Sequence, residues 1–103
     1  MSRVILQPKI AAETVSYTFD FSSRMGSTET ISTKVTTATV YSGTDASPSS
    51  IISGAATSSG QIVTQALTGG TLGVIYTVLC TITTSLSQTL QLSAYLAIVP
   101  PLE

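Results

Sequence analysis

The sequence predicts an all-β domain, built as a two-layer antiparallel sandwich of about seven strands. β-Branched Val, Ile and Thr make up 35 of the 103 residues, and such side chains favour extended backbone. Apolar and polar residues alternate along several segments, which turn-forming residues separate at short intervals. Strands at this spacing are typical of a sandwich, and an up-and-down barrel is the weaker alternative. A chain of this length forms one domain with its own core.

The first core strand is predicted close to the start of this domain. Its apolar residues alternate with polar ones and are Val15, Tyr17, Phe19 and Phe21. This period of two is the pattern of a strand with one buried face. Residues 22–27 then break the alternation and predict a loop.

The segment from Ile31 to Tyr41 predicts a second strand with an irregularity. Its apolar residues are Ile31, Val35, Ala38, Val40 and Tyr41. Their parity changes between Val35 and Ala38, and one extra residue in a strand turns the following side chains to the opposite face. We therefore expect a kink or bulge between these two residues.

Two shorter strands are predicted after a loop at 42–48, where Gly, Asp and Pro favour turns. The first covers 50–53 and ends at Gly54, and the second covers 61–67. Neither alternating face of the second strand is decisively apolar, so its orientation stays open.

The strongest strand pattern covers 74–84 and forms a hairpin with residues 90–98. One face of the first strand carries Tyr76, Val78, Cys80 and Ile82, and we predict it to be core. The five-residue link is too short for a parallel crossover, so the pair is antiparallel. The opposite face carries Ile75, Thr77, Leu79, Thr81 and Thr83. This stripe is either an ordinary solvated sheet face or a contact surface for a neighbouring subunit.

Residues Gly73 to Cys80 read G-x-x-Y-x-V-x-C and resemble the late core strand of immunoglobulin-like domains, where a Tyr bonds backbone at a corner. The antibody pattern places its Tyr two residues before the Cys, whereas Tyr76 is four residues before Cys80. We therefore favour an ordinary core role for Tyr76 over a corner role. The fold prediction is an immunoglobulin-like antiparallel β-sandwich over residues 13–101.

Residues 1–12 are predicted to form an N-terminal arm or edge strand. The arm contains several apolar residues, but Pro8 interrupts any hydrogen-bonded ladder, which favours an edge position. Such an arm pairs on its own sheet or exchanges with a neighbouring copy. Residues 102–103 follow two prolines and are expected to be a cloning remnant.

Composition excludes several classes of function. The formal net charge is −1 and charged residues make up 9% of the chain, which argues against nucleic-acid binding because affinity for phosphates grows with the number of basic contacts. The absence of His removes the usual general base and the commonest transition-metal ligand. No run of 18 apolar residues exists, so no membrane span is expected. The start lacks a signal-peptide pattern, and we expect synthesis in the bacterial cytoplasm.

The residues that could carry chemistry all favour structural roles. Cys80 has no His to accept its proton and lies in an apolar strand. The glycines of residues 69–73 lack the lysine and following helix of a phosphate-binding loop. The acids Glu13, Asp20, Glu29 and Asp45 are scattered along the chain. We predict no catalytic, cofactor-binding or metal-binding residues, no cofactor and no enzyme activity.

Three segments carry a resemblance to a known group of proteins. They are Phe19 to Ile31, Val40 to Ser49 and, most extensively, YTVLCTITTSLSQTLQLSAY from Tyr76 to Tyr95. Together they resemble small virion proteins of tailed phages and prophages, commonly described as fibre-tail adaptors. The resemblance implies a non-catalytic connector or accessory module in the tail or fibre. It also implies other virion proteins as partners, with a homo-oligomer as a further possibility, and location in the virion. A carbohydrate-binding or adhesion module is the alternative.

Overall fold

The computed structural model describes residues 9–100 and, before them, the backbone of Arg3–Ile5. Its strands are β1 Arg3–Ile5, β2 Lys9–Ile10, β3 Thr14–Asp20, β4 Ile31–Ser42, β5 Ile52–Ser59, β6 Ile62–Thr68, β7 Ile75–Thr84 and β8 Thr89–Val99. Two short 3-10 turns lie at Ser22–Arg24 and Pro48–Ile51. The described residues contain no α-helix, so the prediction of an all-β chain is confirmed.

The strands form two sheets. One has the order β1-β8-β7-β4, with β2 also paired to β8, and the other has the order β3-β6-β5. Strands β3 to β8 thus repeat the order of an immunoglobulin constant-type sandwich, in which B, E and D face G, F and C. Pairing is antiparallel among these six strands, whereas β1 and β2 run parallel to β8. If β1 and β2 are taken as one interrupted edge strand, the sandwich has the predicted seven strands, and its larger sheet is mixed.

A single apolar core fills the space between the sheets. The predicted core face of β7, namely Tyr76, Val78, Cys80 and Ile82, has no exposed surface. Phe19 and Phe21 contribute from the end of β3, and Leu96 and Ile98 from β8. Removal of these side chains from water is the main stabilising contribution to a fold of this size.

Strand β4 is present as predicted, but the predicted bulge site is wrong. Its pairing with β7 is unbroken from Thr33 to Val40, and the register shifts lie beyond both ends of this stretch. Val35 points outward and is 57% exposed, whereas Lys34 and Thr36 occupy inward positions. The change of parity between Val35 and Ala38 is therefore only apparent. Because β4 is the last strand of its sheet, inward positions such as 34 and 36 need not be apolar, and an outward position such as 35 can be.

Strand β5 differs from the predicted short strand at 50–53. The chain forms a 3-10 turn up to Ile51 and then a strand that continues through Gly54 to Ser59. Gly54 has a positive φ of 71°, and residues 54–56 together oppose the single residue Gln65 of β6. The strand therefore passes the glycine in an irregular bulge of three residues against one instead of ending there.

The side chain of Gln65 accounts for this bulge. Gln65 is 1% exposed, and its Nε2 donates hydrogen bonds to the carbonyls of Ser53 (3.2 Å), Gly54 (3.1 Å) and Ala66 (2.9 Å). The orientation of β6, which the sequence left open, is therefore settled with Val63, Gln65 and Leu67 facing inward. A buried amide is acceptable here because backbone carbonyls satisfy it.

Only part of the predicted N-terminal arm, residues 1–12, can be placed. β1 and β2 lie along the outer edge of β8. Residues 1–2 and 6–8 lie outside the described residues, as does the predicted cloning remnant at 102–103. The boundary at residue 13 and the exchange of the arm with another copy stay predictions.

Candidate protein-interaction face

The outward-facing side chains of β4, β7 and β8 form one continuous surface, which we call the outer face. Its members are Thr33, Val35, Thr37, Thr39, Tyr41, Ile75, Thr77, Leu79, Thr81, Thr83, Thr89, Gln91, Tyr95 and Ala97. None of them is charged. The outward stripe on β7 lies in the middle of this face, and its side chains are half-buried. The sequence allowed it to be either a solvated sheet face or a contact surface.

Two tyrosines form the aromatic part of the outer face, near the C-terminal end of β4. The rings of Tyr41 and Tyr95 lie with centroids 4.3 Å apart and planes tilted by 39°. Tyr41 is 59% exposed and lies in the register shift between Val40 and Ser42. Because β7 lies between β4 and β8, the two rings meet above β7. Contacts between aromatic rings are favourable beyond the apolar area that they bury.

Side-chain hydrogen bonds hold the polar part of the outer face in place. The hydroxyls of Thr33 and Thr83 are hydrogen-bonded across β4 and β7. The Nε2 of Gln91 donates to Oγ1 of Thr81 at 3.1 Å across β8 and β7. Cross-strand pairs of this kind stabilise a sheet and reduce the rotamer freedom that binding would otherwise remove. The outer face is therefore a largely preformed surface.

The predicted chemical candidates are all engaged in the fold. Cys80 has no exposed surface. Burial raises the pKa of its thiol to about 11, and the neighbouring Thr36 side chain lowers this pKa by a smaller amount. The thiolate form that reacts is therefore scarce at neutral pH. In the glycine loop, a Cβ on Gly70 would lie 2.8 Å from the side chain of Ile98. The loop thus needs glycine for close packing.

The four acids serve four separate loops, and one of them, Glu29, is buried at 3% exposed. One carboxylate oxygen of each accepts a backbone N–H close in sequence: Glu13 from Ile10, Asp20 from Ser22, Glu29 from Gly26 and Asp45 from Ser47. Hydrogen bonds hold the pKa values of Asp20, Glu29 and Asp45 below their usual range. Within residues 9–100 no group of three or more His, Cys, Asp or Glu side chains is placed to hold a metal ion.

Tyr76 combines the two roles that the sequence analysis weighed against each other. Its ring is fully buried, as expected of a core residue. Its hydroxyl accepts a hydrogen bond from the backbone N–H of Thr71 at 2.8 Å and donates to Oδ2 of Asp45 at 2.6 Å. A Tyr at the start of this strand that bonds backbone upstream is the corner contact of immunoglobulin-like domains. The corner role, which we ranked lower, is therefore present.

Sequence reasoning missed Lys9. Its side chain has no exposed surface, and its Nζ donates to the carbonyls of Ile10 (2.9 Å), Ala11 (3.2 Å) and Gly69 (2.7 Å). Burial lowers the pKa of Lys9, and the charge of Glu13 opposes this shift. No local pattern identifies such a lysine, because its most distant acceptor lies 60 residues along the chain.

The tyrosines differ in their availability for a ligand. Tyr76 is buried, Tyr17 and Tyr95 are half-buried, and Tyr41 is exposed. A sugar platform built from several exposed aromatic rings, which the carbohydrate alternative required, is therefore not present among the described residues.

Comparison with known proteins gives one match. Residues 9–97 match the profile of the family described as podophage GP4 fibre-tail adaptor protein gp77. The chain belongs to this family. Its resemblance to phage fibre-tail adaptors is thereby confirmed over most of its length, and the protein is a structural component of a phage tail. No curated protein and no solved structure matches the chain significantly. The part of this adaptor that the structure describes has no helix long and apolar enough to cross a membrane.

Proposed function

We propose that this fibre-tail adaptor joins tail components through protein–protein contacts at its outer face and catalyses no reaction. The observation that carries the proposal is the absence of charge from all outward positions of β4, β7 and β8, together with the Tyr41–Tyr95 pair. The centres of protein interfaces are depleted in charged residues and enriched in tyrosine. A solvated sheet face with no binding role would more commonly carry Lys and Glu.

Tyr41 is the expected anchor of this interface. It combines high exposure with a fixed position against Tyr95, so little conformational freedom is lost when a partner covers it. Exposed aromatic residues at the centre of an interface commonly contribute more than 1 kcal/mol each. The partners are other proteins of the tail or fibre, with further copies of the adaptor as an additional contact. The site of action is the virion, after synthesis in the bacterial cytoplasm.

The test is complementation of a phage that lacks the gene, with Tyr41→Ala and a control, Leu86→Ala. Leu86 is equally prominent, at 63% exposed, but lies in the β7–β8 loop away from the outer face. Quantitative mass spectrometry of purified particles measures the adaptor content per particle. Tyr41→Ala should lower incorporation by about tenfold, whereas Leu86→Ala should leave it unchanged. Equal incorporation of the two variants would contradict the proposed interface.

A further inference from the structure

Strand β4 leaves one edge of the larger sheet open. It is the longest strand, with 12 residues, and it ends the sheet order. No described strand pairs with its second edge. Its stretch Thr33–Val40 is regular and contains neither Pro nor Gly. An exposed edge of this length offers backbone N–H and C=O groups to another strand, and proteins usually shield such edges.

A groove runs beside this edge, between the two sheets. It has a volume of about 490 Å³. Residues 33–36 of β4 line one side, and Ile52 with the bulge at residues 54–56 lines the other, while Gln65 also contributes to the lining. The bulge borders the groove at the point where three residues of β5 leave the regular ladder. The lining is mostly small and apolar on the β5 side.

Related sandwiches carry a strand at this position. In variable-type immunoglobulin domains an additional strand, C′, extends the sheet of strands G, F and C beside C. β4 corresponds to C, and in this chain β5 belongs to the opposite sheet. A strand added to β4 would therefore occupy a place that the same architecture fills in other proteins.

Lys34 indicates the chemistry of the strand that would bind. It is the only charged residue of the groove, it is half-buried, and it makes no hydrogen bond or ion pair with any described residue. A half-buried lysine side chain without a partner is stabilised by a carboxylate brought next to it. A second copy that paired its β4 with this one would not supply a carboxylate, because β4 contains no Asp or Glu.

We propose that the β4 edge binds an extended segment of a partner protein. The segment adds to β4 as a further strand, its main chain hydrogen-bonds to the free edge, and small apolar side chains enter the groove. A carboxylate on the same face of the segment pairs with Lys34. Strand addition of this kind takes affinity from main-chain hydrogen bonds and specificity from alternate side chains.

The probes are two synthetic heptapeptides. Both carry Thr at the four odd positions and Val at positions 2 and 6; one has Glu and the other Gln at position 4. Each is titrated into the full-length protein labelled with ¹⁵N, and amide chemical shifts are recorded. The Glu peptide should perturb amides of residues 33–41 and 52–56 and bind about two- to fivefold more tightly than the Gln peptide, as a partly exposed ion pair implies.

Two variants separate the role of Lys34 from a general charge effect. Lys34→Gln should abolish the preference for the Glu peptide but keep binding of both peptides at β4. Arg24→Gln removes an exposed positive charge outside the groove and should keep the preference. Binding of neither peptide, perturbations elsewhere, or equal affinities in the unaltered protein would each overturn the proposal. Shifts at β4 that depend on protein concentration without peptide would also overturn it, because a second copy would then occupy the edge.

This inference and the proposed function can fail separately. The titration uses the isolated protein and does not depend on contacts at the outer face. Tyr41→Ala should therefore bind the Glu peptide as the unaltered protein does, even though its incorporation into particles falls.

Discussion

Lys9 and Lys34 lie at opposite edges of the same sheet and have contrasting environments. Lys9 is fully buried on β2, where three backbone carbonyls accept hydrogen bonds from its Nζ. Lys34 is half-buried on β4 and bonds to no described residue. The edge of β8 near Lys9 is paired with the short strands β1 and β2, whereas no described strand pairs with the edge of β4 near Lys34.

The contrast shows that the same residue type can tie a terminal strand to the fold or lie on a terminal strand without a partner. The ammonium of Lys9 has all three of its donors satisfied within the chain, so it ties the first strands to the β6–β7 loop. The ammonium of Lys34 retains its capacity for an external partner. The closed edge should therefore contribute to stability, and the open edge should contribute to recognition.

The largest expected effect comes from removing the two ammonium groups in turn. Lys9→Met keeps the length of the side chain but leaves the carbonyls of Ile10, Ala11 and Gly69 without this donor. It should lower the free energy of unfolding by about 1–3 kcal/mol. Lys34→Met should change it by less than about 0.5 kcal/mol. Urea denaturation followed by circular dichroism measures both, and equal losses would remove the distinction between the two edges.

A smaller effect is expected from removing a buried hydroxyl that has hydrogen-bond partners and one that has none. Tyr76→Phe leaves the N–H of Thr71 and the carboxylate of Asp45 without their shared partner, so we expect a loss of about 1–2 kcal/mol. The matched variant is Thr36→Val beside the open edge, since the Thr36 hydroxyl is buried and has no hydrogen-bond partner of normal geometry among the described residues. Its stability should stay within about 0.5 kcal/mol of the original. A larger loss for Thr36→Val than for Tyr76→Phe, in the same denaturation assay, would reverse the comparison.

The smallest effect is a difference in acid sensitivity. Hydrogen bonds from Tyr76 and from the N–H of Ser47 hold the pKa of Asp45 below its usual 3.8 in the folded protein. Its contribution to stability is therefore fully present above the unfolded value and is lost as the pH falls through the lower folded value. Stability measured from pH 5 to pH 2 should fall less steeply in Asp45→Asn than in the original. Lys34→Met is the control and should lose stability in acid as steeply as the original, because the β4 edge carries no carboxylate. Parallel stability curves for Asp45→Asn and the original would refute the stabilising role of the Asp45 carboxylate.

The alternating strands could be predicted because their pattern is local. The apolar face of β7 from Tyr76 to Ile82 and its hairpin with β8 follow from the period of two and a short link. The outward stripe on β7 could be found from the sequence, but the sequence could not decide whether it is a solvated face or a contact surface. Its interpretation as a contact surface needs Tyr41 and Tyr95, which meet only when β4 and β8 flank β7.

The features that the sequence did not reveal depend on distant partners. Gln65 is polar in an inward position, and its partners include carbonyls exposed by the bulge of β5. Lys9 depends on the carbonyl of Gly69. The pattern predicts a shift between Val35 and Ala38 because an outward Val in an edge strand imitates a change of face, whereas the pairing there is unbroken. In each case the local pattern shows only the polarity of a side chain. Whether that side chain is buried and bonded depends on which distant segment lies beside it.

The direction of β1 and β2 has a mechanical consequence. Both run parallel to β8, with Arg3 beside Ser93 and Ile10 beside Val99. A force that pulls residue 3 and residue 99 apart would load the hydrogen bonds of both short strands simultaneously, in shear. Bonds loaded in this way must break together, whereas those of an antiparallel hairpin pulled at its open end break one after another. The pairing at this edge would therefore resist tension along the length of the domain.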